Sequence, residues 1–288
     1  IPIVTGQILT SEIERFTTGG TLTYSPLAAL TNRFTLGYDW SQQVQRNIRP
    51  FGNVVWPPGT LFNDQFQNRL LTLDYVGTYR IDLTGDIRSN FSWGGQAVGE
   101  DTHRVVAYGE DFPGVTVPTM SAAAVTLARE DRQEVWNAGF FVQNVFDISD
   151  KYFVTVGARV DGNSAFGEGF GLQLYPKASA SWVLSDEDFW SDGMGSMKVR
   201  AAYGQSGRAP GAFDAVRTWT GQGGYDGRAA IFPANVGNAE LGPEVTTEFE
   251  FGFDGAWFNN RLSSTFTYYS QRTDEALLLV PQVPSMGF

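Results

Sequence analysis

Arg33-Phe34-Thr35-Leu36-Gly37-Tyr38-Asp39-Trp40 alternates without a slip. In an extended chain Phe34, Leu36, Tyr38 and Trp40 share one face, and Arg33, Thr35, Gly37 and Asp39 share the other. A repeat of two is the strand period. The pattern recurs on both sides of this stretch. Leu71, Leu73, Tyr75 and Tyr79 oppose Thr72, Asp74 and Thr78; Ile87, Phe91 and Trp93 oppose Arg88, Asn90 and Ser92. Tyr152, Val154, Val156, Ala158 and Val160 oppose Thr155, Gly157, Arg159 and Asp161; Ala178, Ala180, Trp182 and Leu184 oppose Lys177, Ser179 and Ser181. Met197, Val199, Ala201 and Tyr203 oppose Lys198, Arg200 and Gly204. Phe249, Phe251 and Phe253 oppose Glu248, Glu250 and Asp254; Leu262, Phe266 and Tyr268 oppose Ser263, Thr265 and Thr267. Thr17–Tyr24, interrupted by Gly19-Gly20, and Glu134–Phe146, with Phe141 and Val145 on its polar side, bring the expected strands to about ten. A helix is admitted only over Ser121–Arg132, where Ala and Leu dominate.

The links between these strands alternate in length. Ser25–Asn32, Ile81–Asp86, Asp147–Lys151, Ser185–Ser196 and Trp257–Asn260 read as tight turns, and Gln45–Gln67, Gly99–Gln133, Asp161–Gln173 and Ser206–Pro243 as extended loops. In an up-and-down sheet alternate links fall on opposite rims, so one rim is trimmed and the other elaborate. That asymmetry is the mark of a transmembrane β-barrel, with short periplasmic turns and longer extracellular loops.

Composition is compatible with this. Charged residues make up 18% of the 288 residues, below the roughly 25% of an average soluble domain, yet the mean hydropathy is −0.19. No run approaches the roughly 20 apolar residues of a spanning helix, so any membrane crossing falls to strands. There is no cysteine, which excludes disulfides and thiolate metal sites. A net charge of −11 argues against nucleic acid. The start, Ile1-Pro2-Ile3-Val4-Thr5, lacks the pattern of a signal peptide. Along the strands, Trp40, Trp93, Trp136, Tyr203 and Tyr268 are expected near the long-loop rim, and Tyr24, Tyr79, Tyr152, Trp182 and Trp257 near the tight-turn rim. Two aromatic bands flanking aliphatics match the interfacial girdles of a bilayer-spanning barrel. The polar face then lines a lumen with Arg159, Asp161, Lys198, Arg200, Glu248 and Glu250 as its charges, and Lys198 and Arg200 are expected to be neutralised by Glu248 and Glu250 across neighbouring strands.

From Glu134 onward the chain resembles the SusC/RagA-type TonB-dependent outer-membrane transporters. Arg159-Val160-Asp161-Gly162-Asn163-Ser164-Ala165-Phe166-Gly167 looks like that family's Arg-x-Asp-Gly-Ser-Ser-x-Phe-Gly turn. Tyr175–Trp182 is similar to its Pro-x-x-Ser-x-x-Trp strand, and Lys198–Gly207 to its Lys-x-Arg-x-Ser-Tyr-Gly-x-Thr-Gly segment. Asn238–Glu244 leading into Glu248–Asp254, and Phe258–Leu262 leading into Tyr268-Tyr269, follow in the family's order. The resemblance implies an all-β, antiparallel up-and-down transmembrane barrel, of which residues 1–288 would supply about ten of about 22 strands. The plug domain and the TonB box are expected to be absent from this chain, and the last-strand reading of Phe288 is set aside because Pro281 and Pro284 interrupt Val280–Phe288. It further implies energised uptake of oligosaccharides or peptides, with outer-membrane lipid, the TonB complex and a SusD-like surface lipoprotein as partners, and no enzyme activity or cofactor. The alternatives are a passive porin-like channel and a soluble carbohydrate-binding β protein.

No catalytic constellation is visible in the residues themselves. His103 is the single histidine, so a histidine metal cluster is excluded. Asp186-Glu187-Asp188 reads as a solvated acidic turn rather than a calcium loop. Gly167-Glu168-Gly169-Phe170-Gly171 is followed by a strand, not by the helix a phosphate loop needs, and reads as a hairpin tip. Loops carry binding groups on a scaffold that fixes them. Trp56, Trp219 and Tyr225, with Arg217 and Arg228, are therefore the expected substrate contacts on the long-loop side. The barrel reading also expects Val156→Arg, on the lipid face, to cost far more than Thr155→Arg beside it, and the isolated chain to aggregate through its two open sheet edges.

Overall fold

The computed structural model describes residues 6–114, 118–167, 171–223, 226, 228–281 and 283. The strands are β1 (Ile8–Leu27), β2 (Leu30–Arg49), β3 (Thr60–Thr84), β4 (Ile87–Glu110), β5 (Val125–Ile148), β6 (Tyr152–Asn163), β7 (Gln173–Val183), β8 (Ser196–Arg208), β9 (Thr218–Gly223), β10 (Ala229–Asn235), β11 (Glu244–Trp257) and β12 (Leu262–Asp274). Among the described residues, ten of them form one sheet in the order β1-β2-β3-β4-β5-β6-β7-β8-β11-β12, and β9 pairs with β10 alone. Each strand of the large sheet lies beside its neighbour in sequence, apart from the β9–β10 hairpin inserted between β8 and β11. This is the up-and-down sheet that the alternation requires. Its order runs from β1 to β12 without closing.

The register fixes the two faces from β6 to β12. One set of rows reads Val156–Ala178–Tyr203–Phe249–Ser270, Val154–Ala180–Ala201–Phe251–Tyr268 and Tyr152–Trp182–Val199–Phe253–Phe266. The intervening rows read Gly157–Lys177–Gly204–Glu248–Gln271, Thr155–Ser179–Ala202–Glu250–Tyr269 and Phe153–Ser181–Arg200–Gly252–Thr267. A slip of one residue anywhere would mix the two sets; none occurs over five strands. The tight turns hold this register. At β5–β6, Ser149 and Asp150 both take positive φ (56° and 57°), the geometry of a two-residue turn whose twist matches the strands, and Lys151 N–H donates to Ile148 O at 3.1 Å.

Three expectations are corrected. The stretches Gln45–Gln67 and Gly99–Gln133 are mostly strand: the links between β2 and β3 and between β4 and β5 shrink to residues 50–59 and 111–124. Ser121–Arg132 is not a helix; a short 3-10 turn covers Met120–Ala122 and β5 begins at Val125. The link after β7, read as a tight turn, occupies residues 184–195 and folds into two 3-10 turns, Leu184–Asp186 and Asp192–Met194. The reason in the first two cases is the same. Hydrophobic alternation records one dry face, and these strand ends set charged residues at successive positions, as in Glu100-Asp101, His103-Arg104 and Arg129-Glu130-Asp131-Arg132. They are held by cross-strand pairs, such as Arg104 to Asp64 at 2.6 Å and His103 to Glu130 at 2.8 Å.

The chain divides into two compact units, each taken by itself. The first comprises residues 1–20, 36–73 and 98–135. Its small core gathers Ile48, Leu61 and Phe112, with Met120 and Ala123 against them. The second comprises residues 21–35, 74–97 and 136–288 and contains the five-strand wall whose rows are given above.

Candidate functional site

On the polar face of β8, β11 and β12, Arg200 reaches across two strands. Its guanidinium meets Asp254 Oδ2 at 3.3 Å and donates to Thr267 Oγ1 at 2.7 Å. Gly252 lies opposite Arg200 in register, and a Cβ there would sit 3.3 Å from the guanidinium carbon. The glycine leaves the space the arginine occupies. This corrects the expected pairing: among the described residues Arg200 pairs with Asp254, and neither Glu248 nor Glu250 joins an ion pair, nor does Lys198. The register explains it. Asp254 stands opposite Lys198 and one row from Arg200, whereas Glu248 and Glu250 face Gly204 and Ala202. Arg159 turns along its own strand to Asp161, with Nε 2.7 Å from Oδ1.

At the tight-turn rim, Tyr152 and Trp182 face each other in register and their rings stack with centroids 5.8 Å apart. Glu187, from the link that follows β7, accepts from the Tyr152 hydroxyl at 2.6 Å and from Trp182 Nε1 at 2.9 Å, and meets Lys151 Nζ at 3.4 Å. These donors, with the Tyr152 hydroxyl foremost, hold the Glu187 carboxyl below the usual carboxylate range. Sequence reasoning took Glu187 for a solvated turn residue; a carboxylate a few positions past a strand-end tryptophan was the signal available. Trp182 also meets Phe189 edge-on at 6.3 Å.

The remaining girdle residues are distributed less simply. Tyr203 and Tyr268 occupy the rows of Val156 and Val154. Trp40 lies within β2, in the first unit. Trp93 stacks on Phe91 and lies against Gly77, two residues along β3 from Tyr79. Trp93 and Tyr79, expected on opposite rims, are therefore neighbours. The aromatic spacing read along single strands failed here because the offset between adjacent strands is not visible in either one alone.

The loop residues fall in both units. Trp56, 42% exposed, belongs to the first. Its backbone is fixed by Asn53, whose Oδ1 accepts from the N–H groups of Val55 and Trp56 at 3.0 and 3.3 Å. Arg217, Trp219 and Arg228 belong to the second and gather on the β9–β10 hairpin, where Trp219 faces Pro233 across the ladder. Trp219 is 53% exposed, and Arg217 Nε donates to Val236 O at 3.3 Å. The base of the hairpin is knitted by Asn235, whose side chain donates to Phe213 O at 2.8 Å. Tyr225 lies outside the described residues, as do the middle of the Gly167–Gly171 tip and Phe288. Among the described residues no group of three or more His, Cys, Asp or Glu side chains is arranged to hold a metal.

A sheet of antiparallel neighbours with one continuous apolar face and one charged face is the wall of a transmembrane β-barrel. The family model for the TonB-dependent receptor-like β-barrel matches residues 5–288. The chain belongs to that family, and its place is the bacterial outer membrane. Among curated proteins it is similar to TonB-dependent receptor P26 of Formosa agariphila, 30% identical over 160 residues, which is 52% of this chain and 16% of that protein. TonB-dependent receptor P39 of the same organism is 30% identical over 146 residues, 50% of this chain and 14% of the relative. Among solved structures, the RagAB peptide transporter superposes with a TM-score of 0.92 at 17% identity, covering 99% of this chain and 33% of that one. The ferric-catecholate import receptor Fiu of E. coli gives 0.59 at 14% identity, covering 91% and 41%. The chain thus spans about a third of the RagAB chain. Membership in an outer-membrane family overturns the soluble carbohydrate-binding alternative.

Proposed function

We propose that this chain is part of the barrel wall of an energised importer: a larger closed barrel of about 22 strands that takes up oligosaccharides or peptides across the outer membrane. The observation that carries the reading is the sidedness of the β6–β12 wall, apolar in one set of rows and charged in the other, within a chain of the TonB-dependent receptor family. In this reading ligand meets Trp56, Trp219, Tyr225, Arg217 and Arg228 on the extracellular side, while Tyr152, Trp182, Tyr203, Tyr268, Trp40 and Trp93 contact the lipid interface. A plug closes the lumen, and the TonB complex pulls on it. A SusD-like lipoprotein covers the outer mouth; the likeness to the RagAB peptide transporter supports a peptide cargo. The protein is a carrier, not an enzyme.

The decisive experiment is uptake of labelled oligosaccharides and peptides by cells carrying or lacking the gene, with and without a protonophore. Gene-dependent uptake that collapses with the protonophore is expected. Uptake that persists without an energised inner membrane would establish the passive channel instead.

A further inference from the structure

The link of residues 184–195 stands apart from the other turns of its rim. Residues 28–29, 85–86, 149–151 and 258–261 only return the chain, whereas 184–195 folds into two 3-10 turns. It is tied down along its length. Glu187 is held by Tyr152, Trp182 and Lys151. Trp190 Nε1 donates to Gly195 O at 2.7 Å. Gly195, at φ 82°, lies so close to β11 that a Cβ there would run into Ala256 O. Between these ties stands Phe189, 66% exposed, its ring edge-on to Trp182.

The side on which Phe189 stands follows from its neighbours. Tyr152 and Trp182 belong to the row Tyr152–Trp182–Val199–Phe253–Phe266, the last complete apolar row before the tight-turn rim. Contact with Trp182 makes Phe189 a prolongation of that face past the strand ends. An interfacial Tyr or Trp ordinarily sets its ring among acyl chains and its O–H or N–H among headgroups. Here both handles turn to Glu187, so a protein carboxylate takes the place of the headgroup. The polar boundary then moves from the girdle pair to the link itself, where Asp186 and Asp188 are exposed on either side of Glu187. An exposed phenyl ring at that level is stabilised by leaving water for the apolar side of the boundary.

We propose that residues 184–195 form a membrane anchor, in which Phe189 seats in the headgroup–acyl boundary of the leaflet at the tight-turn rim and the Tyr152–Trp182–Glu187 knot holds it there. The occupant of this surface is phospholipid, because the surface continues the apolar rows of the wall. The inference rests on the lipid-facing reading of those rows, and the test separates the two.

The intact protein, purified from outer membranes and reconstituted in vesicles of phosphatidylethanolamine and phosphatidylcholine, carries one nitroxide at a time, at Val156→Cys or Phe189→Cys, in a background without other cysteines. Power-saturation EPR compares collisions with oxygen, which concentrates in lipid, and with a water-soluble nickel chelate. Oxygen should prevail at both positions, with the 189 label about 5–10 Å into the headgroup–acyl boundary and the 156 label deeper. Adding Glu187→Ala should move the 189 label toward the nickel chelate and raise its mobility, while the 156 label stays as it was. Nickel-dominated collisions at 189 beside oxygen-dominated collisions at 156 would overturn the anchor, leave the faces standing, and mark the link as a surface for water or a periplasmic protein. Nickel-dominated collisions at 156 would sink the faces and the anchor together. A 189 label indifferent to Glu187→Ala would overturn the holding role of the knot. Heat-modifiable gel mobility certifies assembly. If Phe189→Cys does not assemble, p-benzoylphenylalanine at 189 keeps a ring there; photocrosslinking to lipid supports the anchor, and photocrosslinking to protein overturns it.

Discussion

The strands fall into two groups. β1–β5 run 20, 20, 25, 24 and 24 residues. β6, β7, β8, β11 and β12 run 12, 11, 13, 14 and 13. A tilted strand crosses the hydrocarbon in about 9–11 residues. The short group is therefore spanning strand and little else, and the long group carries roughly as much strand again in water. In the short group burial of one face against lipid sets register, composition and period together. In the long group the extra length is held by backbone ladders and surface ion pairs, each worth roughly 0–1 kcal/mol. The same secondary structure thus rests on two different physical supports, and it should respond differently to substitution.

The largest expected effect tests the lipid support. Val156 sits within the apolar rows of β6 and is 46% exposed on that face. Val156→Arg should impair assembly into outer membranes by roughly 2–4 kcal/mol if it lies at the midplane. Thr155→Arg, in the row of Ser179 and Glu250, should be far milder. Equal losses in an outer-membrane assembly assay would erase the assignment of faces. The counterpart in the long group is Leu127→Arg. Leu127 is the third residue of β5 and 65% exposed, and the change should stay within about 0.5 kcal/mol, as for an ordinary surface position. A large loss there would mean that these strand ends also meet lipid.

A smaller effect is expected within the wall. Arg200→Ala and Asp254→Ala should each cost about 1 kcal/mol, because both side chains are partly wet, at 31% and 41% exposure. The double variant should cost less than the sum of the two, measured by a double-mutant cycle in urea titrations of the folded barrel. Glu248→Ala should show no coupling to Arg200→Ala.

The pH dependence at the tight-turn rim should be smaller still. The Glu187 carboxyl titrates below its ordinary range in the folded protein, so its stabilisation is present above the unfolded-state value and is lost as the pH falls through the depressed folded-state value. Glu187→Gln should therefore lower the thermal midpoint at neutral pH and lose that difference in acid. A gap that persists at low pH would show that Glu187 acts through shape alone. The smallest change is expected for Arg104→Ala. It breaks the 2.6 Å pair with Asp64 and should shift stability by a few tenths of a kcal/mol, fading with added salt.

The amino-acid order alone determined the strand period, the faces of β6 to β12 and the family. Lipid demands an unbroken apolar row, and that demand is written at every second position, as in Phe249, Phe251 and Phe253. Residues expected as loops, such as Arg104 and Glu130, turned out to lie in strands because water on both sides leaves no period to read. Which charges meet, and which stay free, was decided by register. Arg200 takes Asp254 rather than Glu250, and Trp93 lies near Tyr79, because the offset between neighbouring strands is a property of the assembled sheet that no single strand carries.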